Sequence, residues 1–244
     1  MSKKYDKTIG YSPLEDVDEE KMLQVIRVNK RIIEKYYSPC SDDIILVAGA
    51  GQGQEALILG GEYHLKTFGV DLNIENLHSA GKYPGVFFQR QDISSLAFLS
   101  STFSLIYCYH VLEHVRDHIG VLCEVERVLK PGGVLFIGFP NKSRIVSYIS
   151  TSQKVSTRDK IKWNLNDYSY RLRGKFANQF GAHAGFTEEE FVSAAARIFS
   201  VVYSVRDQYM LYKYSGYTKA VWFMIKTGLN KFVFPSNYFV CIKQ

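Results

Sequence analysis

The sequence predicts an α/β fold built around a mainly parallel sheet, and three observations carry this. Short apolar runs of strand length alternate with longer amphipathic stretches through most of the 244 residues, the pattern of consecutive βα units with right-handed crossovers. Glycine and proline punctuate the joins, at Ser38-Pro39, Gly60-Gly61, Gly81 to Gly85 and Pro131-Gly132-Gly133. A glycine-rich turn, Gly49 to Gly53, falls between the first apolar run and the helix that follows it.

Residues 18–37 place Met22, Ile26, Ile33 and Tyr37 on one helical stripe, with acids leading and bases following, as the helix dipole prefers. Ile44–Ala48 reads as a short buried strand. A helix runs from the glycine turn through Leu59 and is expected to end at Gly60-Gly61. Thr67–Asp71 is the second strand, Ile74–Ala80 a helical stretch, and Val86–Gln91 the third strand. Leu105–Tyr109 is the fourth. Asp117 caps a helix, HIGVLCEVERVLK, that stops at Pro131-Gly132-Gly133, and Val134–Phe139 is the fifth strand. Beyond Pro140 the chain turns basic and polar over 141–182, with no long apolar strand. Thr187-Glu188-Glu189-Glu190 is a capping box opening the helix FVSAAARIF. Val201–Val205 and Tyr238–Ile242 are the last two strands.

Hydrophobic residues make up 46% and charged residues 22% of the chain, ordinary for a soluble globular protein. No apolar run reaches the roughly 18 residues a bilayer-spanning helix needs, and the first twenty residues carry no signal-peptide core. Cys40, Cys108, Cys123 and Cys241 are scattered without paired spacing, which disfavours zinc knuckles or a disulfide scaffold. A cytoplasmic location is expected. The net charge of +6 is uneven: residues 1–141 hold 14 Lys/Arg against 18 Asp/Glu, and residues 142–244 hold 16 against 6. An acidic front and a basic back should do different work.

Gly49, Gly51 and Gly53 sit just after a strand and just before a helix. That is where backbone must approach a ligand closely and where free helix amides favour an anion. Gly51 to Ala56, GQGQEA, also passes as a dinucleotide fingerprint. Asp71 closes the second strand 20 residues after Gly51; an acid there can accept from both hydroxyls of a ribose, or it can cap the next helix. Asp92 ends the third strand at the same edge of the sheet, where a plain turn role fits equally well.

Four blocks in order, LVAGAGQG, GVDLN, RQDISSL, and FSLIYCYHVLEHVRD with ERVLKPGGVLFIGFP, give residues 40–141 a close resemblance. The chain resembles the class I S-adenosylmethionine-dependent methyltransferases that modify small molecules and lipid or sugar intermediates. The resemblance implies a Rossmann-like, seven-stranded, mostly parallel sheet with helices on both faces and an antiparallel last strand. It implies one domain over 1–244: a cofactor-binding core at 18–141, a substrate lid at 142–182, and a basic aromatic insertion at 206–236. It further implies that Gly49, Ala50, Gly51 and Gly53 line the cofactor's methionine part. Asp71 would hold the ribose, with Leu72 along the adenine; Asp92 would meet the adenine amine, with Ile93 over the ring. Tyr109 and His110 would complete the cleft. One departure stands out: Val47 occupies the place, two residues before Gly49, where the family usually has an acid.

His110-Val111-Leu112-Glu113-His114 also matches the H-x-x-E-H inverted zinc-peptidase motif. The motif begins at a strand end and lacks a third ligand, so no metal is expected. Methyl transfer needs in-line positioning above all, with a general base only for a hydroxyl or a protonated amine. His110 and His183 are the candidates, because imidazole titrates near neutrality. The lid carries nine Lys/Arg from Lys142 to Lys175, Arg144 and Arg171 among them, interleaved with Trp163, Tyr168, Tyr170, Phe176 and Phe180. Such a mixture fits a phosphate-bearing, apolar acceptor. Residues 212–234 mix lysines with Trp222, Phe223 and Phe232, a composition that suits either a membrane-surface helix or a buried one with lysines at its edge. The expected acceptor is therefore a small molecule, lipid-linked intermediate or sugar. RNA methylation stands second because no RNA-binding module is visible, and Val47 keeps a non-catalytic S-adenosylmethionine binder as a third reading.

Overall fold

Strands form where apolar side chains can be buried on both sheet faces, and helices where only one stripe is apolar. The computed structural model describes residues 19–73, 84–147, 156–180 and 182–244. Among these the chain runs α1 (Glu19–Ile33), β1 (Ile44–Ala48), α2 (Gln54–Tyr63), β2 (Lys66–Asp71), β3 (Val86–Arg90), β4 (Phe103–Tyr109), α3 (His118–Val128) and β5 (Leu129–Pro140). It continues through α4 (Thr157–Leu172), α5 (Glu188–Ala195), β6 (Val201–Ser204), α6 (Arg206–Lys213), α7 (Thr218–Thr227), α8 (Asn230–Val233) and β7 (Ser236–Ile242). The expected helix at 74–80 lies outside the described residues.

The described strands make one seven-stranded sheet in the order β3-β2-β1-β4-β5-β7-β6. β1 pairs in parallel with β2 and β4, β2 with β3, and β4 with β5. β7 runs antiparallel to both β5 and β6. This is the Rossmann-like sheet with an antiparallel last strand. Alternate residues supply two cores, as a period of two requires. Leu105, Tyr107, Phe136 and Tyr238 join Ile26, Ile33, Leu59 and Tyr209 on the face covered by α1, α2 and α6. Ile106, Cys108, Leu135 and Phe239 join Leu122, Val125 and Phe191 beneath α3 and α5. The chain leaves β1 toward β2 on one side and later takes up β4 on the other, which opens a crevice at the carboxyl ends of β1 and β4.

Three expected boundaries move. Gly60-Gly61 does not stop α2, which runs on to Tyr63 and ends at His64 in a left-handed conformation (φ 54°). Gly60 is instead a packing residue: a Cβ there would lie 2.8 Å from Val86 Cγ2 and 3.1 Å from Thr67 Oγ1. α3 ends at Val128, and Leu129 already pairs with Phe103. The register then shifts before Leu105 pairs with Val134, so Pro131-Gly132-Gly133 sits in an irregular strand rather than beyond a helix. The stretch 141–182, read from the sequence as basic and polar with no long apolar strand, holds α4, capped by Ser156 accepting from the Asp159 amide. Around 212–234 the chain forms short helices broken at Ser215–Tyr217 and Gly228.

Candidate active site

The turn after β1 is clamped from below. The Gly49 and Ala50 amides both donate to the Val70 carbonyl, at 2.8 and 2.9 Å. Gly49 must be glycine: its φ is +74°, and a Cβ would fall 2.2 Å from Val111 Cγ2. Gly51 (φ +51°) has nothing within 4 Å of where its Cβ would be, so the crest of the turn faces open space. Gly53 (φ +88°) leads into α2, which no side chain caps. Its leading amides are thus left to a ligand or water.

Asp71 holds the crest from the neighbouring strand. Its Oδ2 accepts from the Gly51 amide and its Oδ1 from the Asn73 amide, both at 2.9 Å. Each oxygen keeps acceptor capacity for a further donor. Asp92 lies at the same end of the sheet and accepts on Oδ1 from the amide and hydroxyl of Ser94, the turn role considered for it from the sequence. Leu72 is exposed beside Asp71, and Ile93 and Ala50 are buried.

Just past the carboxyl end of β4 four titratable groups gather. His110 leaves β4 in a left-handed conformation (φ 55°), with its amide donating to the Gly138 carbonyl. Its ring stands edge-on to Tyr109, with centroids 4.4 Å apart. His110 Nδ1 lies 3.1 Å from Glu113 Oε1, the imidazole 35% exposed and the carboxylate only 1%. Burial opposes ionisation of Glu113, yet the bond to His110 and the charges of His110 and His114 hold its carboxyl below the usual range. Its Oε2 finds no partner among the described residues. His114 packs edge-on to His183, with centroids 4.7 Å apart. Burial, then His114, pushes His183 down to about 4.

The H-x-x-E-H letters do not lie along one α-helix: they span the strand end and a single 3₁₀ turn, Leu112–His114. Among the described residues no group of three or more His, Cys, Asp or Glu is arranged to hold a metal ion.

The basic segment after β5 is put together differently from what its charge suggests. Arg144 is 3% exposed and spends its donors inside the protein. It reaches Ser147 Oγ, the carbonyls of Asn141 (3.1 Å), Ala184 (2.9 Å) and His183 (3.1 Å), and Asp167 Oδ2 (2.9 Å). Arg171 donates to the carbonyls of Lys142 and Arg144 and lies over the Phe176 ring. These arginines tie α4 to the His183 segment instead of waiting for a phosphate.

Val47 is fully buried among the β-sheet residues below the turn. Glu55, one residue into α2, is half-buried, makes no hydrogen bond or ion pair among the described residues, and lies close enough to Tyr107 and Tyr109 to raise their pKa. Burial pushes its carboxyl up to about 8. The sequence marks Glu55 only as an acid just past the turn; its desolvation is a tertiary property.

A family description for a methyltransferase domain matches residues 46–137, the stretch that builds the turn, Asp71, Asp92 and the His110–His114 wall. Over that stretch the chain carries a methyltransferase domain, similar to those of class I S-adenosylmethionine-dependent methyltransferases. Among related methyltransferases, one from Mycolicibacterium smegmatis, named "Probable S-adenosylmethionine-dependent methyltransferase/", is 25% identical over 117 residues, 48% of this chain and 45% of that protein. A ubiquinone biosynthesis O-methyltransferase of Colwellia psychrerythraea is 33% identical over 79 residues, 32% of each chain. The matched stretch thus spans less than half the length of either relative. A phosphoethanolamine N-methyltransferase of Haemonchus contortus, solved with phosphomonomethylethanolamine and S-adenosylhomocysteine, superposes with a TM-score of 0.57 at 16% identity. That likeness covers 89% of this chain and 53% of the other, and it concerns the fold. Within the matched stretch, the turn, its Asp71 brace and the uncapped α2 leave backbone amides and carboxylate oxygens open at one end of the sheet, and Val47 below them is apolar.

Proposed function

We propose that this chain is an enzyme that transfers a methyl group from S-adenosylmethionine to a hydroxyl of a small molecule, such as a sugar or a lipid intermediate. The observation that carries this reading is the His110–Glu113 pair just past the carboxyl end of β4, the strand beside the one that leads into the glycine turn. The cofactor, when bound, supplies a methyl group on a positively charged sulfur. Gly49, Ala50, Gly51 and Gly53 offer bare backbone to its methionine part, Asp71 a carboxylate to its ribose, and Leu72, Asp92 and Ile93 the surroundings of its adenine. Glu55 offers its unpartnered carboxyl to the ligand's positive end, the role that Val47 cannot play.

An ionised Glu113 can only accept, so His110 presents an Nδ1 proton to it, and the neutral ring then has its lone pair on Nε2. That nitrogen takes the proton of the acceptor hydroxyl as the methyl passes to oxygen, a contribution of about 10²–10⁴ in rate. His183, held at about 4 by burial, is a weak base at neutral pH and packs against His114. The named O-methyltransferase among the relatives supports an oxygen acceptor. Val47 favours a second reading, cofactor binding without turnover.

Calorimetric titration with S-adenosylmethionine, followed by transfer of labelled methyl into fractionated host extract, tests both. Binding that Asp71→Ala weakens, together with label in a lipid, sugar or small-molecule fraction, supports the enzyme. Binding without label supports the second reading, label in RNA overturns the acceptor class, and no binding at millimolar cofactor sinks both.

A further inference from the structure

We propose that the outer faces of α4, α7 and α8 dock this protein onto an anionic lipid surface. The amphipathicity of α4 is inverted. Ile161, Leu165, Tyr168 and Leu172 fall on one helical face at spacings of four, three and four, and all are exposed, Leu165 at 64% and Leu172 at 90%. The opposite face turns Asp167 inward to Arg144. A helix of a water-soluble domain normally directs its apolar stripe to the core; here the stripe faces out.

The apolar face continues past α4. The Tyr168 hydroxyl donates to the Ile145 carbonyl, and the Ile145 amide donates to the Phe232 carbonyl, at 2.8 and 2.7 Å. Ile145, Phe232 and Val233 are exposed in turn, and on α7 so are Trp222 and Phe223, the latter at 62%.

Charge identifies the occupant. Residues 213–234 contain four lysines and no acid, and Lys219, Lys226 and Lys231 are exposed among the aromatic residues. At the end of α4, beside Leu172, a cavity of about 340 Å³ is lined by Arg173 and Lys175 with Ser169, Tyr170, Asn166 and Phe180. An apolar face that enters the acyl boundary, rimmed by cations at headgroup level, is what an anionic bilayer attracts. No described helix is long and apolar enough to cross a membrane, so the contact is peripheral. Arg144 joins Asp167 of α4 to the His183 carbonyl, and Arg171 of α4 holds the Arg144 carbonyl, so the docked face is tied to the segment that carries His183. The docking stands independently of the methyl-transfer reading.

The test is co-sedimentation of the full chain with vesicles of phosphatidylcholine alone, or mixed in equal parts with phosphatidylglycerol, at low and high salt. The expected result is partition into the anionic vesicles at low salt, weakened by added salt. Leu165→Glu with Leu172→Glu should abolish it, and Lys219→Glu with Lys226→Glu should lower partition at least about tenfold. All four side chains are exposed, so urea midpoints and S-adenosylmethionine binding should match the wild type. Absence of low-salt partition, or equal partition into neutral vesicles, overturns the proposal. So does concentration-dependent dimerisation that Leu165→Glu dissolves, since the face would then belong to a second copy of the chain.

Discussion

Glu55→Gln should make this protein more stable while making it a poorer cofactor binder. The carboxyl rises from 4.5 to about 8 on folding because burial penalises its charge. Between those values the unfolded chain has lost the proton that the folded chain keeps. Stability therefore falls by about 1.4 kcal/mol per pH unit as pH rises through this window, a total of about 3 kcal/mol at pH 7. Glu55 is only half-buried and lies in the first turn of α2, where the helix dipole favours negative charge by about 0.3–1 kcal/mol. The expected gain for Glu55→Gln is accordingly about 1–3 kcal/mol at pH 7–8, vanishing near pH 4.5. Urea denaturation at pH 5, 7 and 8 reads it. Binding supplies the second measurement. If the carboxyl meets a cationic ligand, it must give up its proton at pH 7, so calorimetry in buffers of different ionisation enthalpy should register release of close to one proton, and the Gln variant should release none. A Gln variant less stable than wild type at pH 8, or one whose stability gain does not change with pH, would refute the reasoning about burial; unchanged proton release would refute the role in binding.

Other substitutions follow from the same geometry. His110→Gln should cut turnover by about 10²–10⁴ with little change in cofactor affinity, and Glu113→Gln should share most of that loss; equal losses in cofactor binding would make the pair structural. His183→Asn should flatten the acid side of the stability profile. A buried histidine lowered from 6.5 to about 4 stabilises the fold above pH 6.5 and loses that contribution as pH falls toward 4, by up to about 1.4 kcal/mol per unit, which a pH series of urea midpoints would show. Gly49→Ala places a methyl against Val111 at positive φ and should cost about 1–3 kcal/mol, with loss of cofactor binding by calorimetry. Arg144→Met strands the buried Asp167 and should cost about 3–5 kcal/mol, whereas Arg144→Met with Asp167→Leu should recover much of it in the same denaturation assay.

Much of this architecture is legible because it is local. Seven strands read from short apolar runs are the seven in the sheet, and the Thr187–Glu190 capping box forms as its letters require, with both reciprocal bonds present. The misplaced boundaries share one cause: the deciding contact lies far away in sequence. Gly60 reads as a stop, but its missing side chain lets α2 settle on Val86 and Thr67. Leu129 reads as helix, but Phe103 recruits it into the sheet. α4 escapes notice because its outward leucines and inward aspartate violate the rule by which amphipathic helices are recognised.

The site divides along the same line. Gly49, Gly51 and Asp71 announce themselves by spacing, since a turn between strand and helix needs positive φ and its crest needs a brace, both within a few residues of the β1 and β2 ends. Charge alone misleads. Arg144 looks like a phosphate ligand in a basic segment, yet an arginine whose donors are met by three carbonyls, a serine and an aspartate has none in reserve for a substrate. The H-x-x-E-H spacing misleads in the opposite direction. It predicts one helical face, but His110 turns through a left-handed backbone before the helix can form, and this kink lets Glu113 fold back onto Nδ1. That small departure from helical geometry changes what the letters build, from two imidazoles on one helical face flanking an acid to one imidazole hydrogen-bonded to a buried carboxylate.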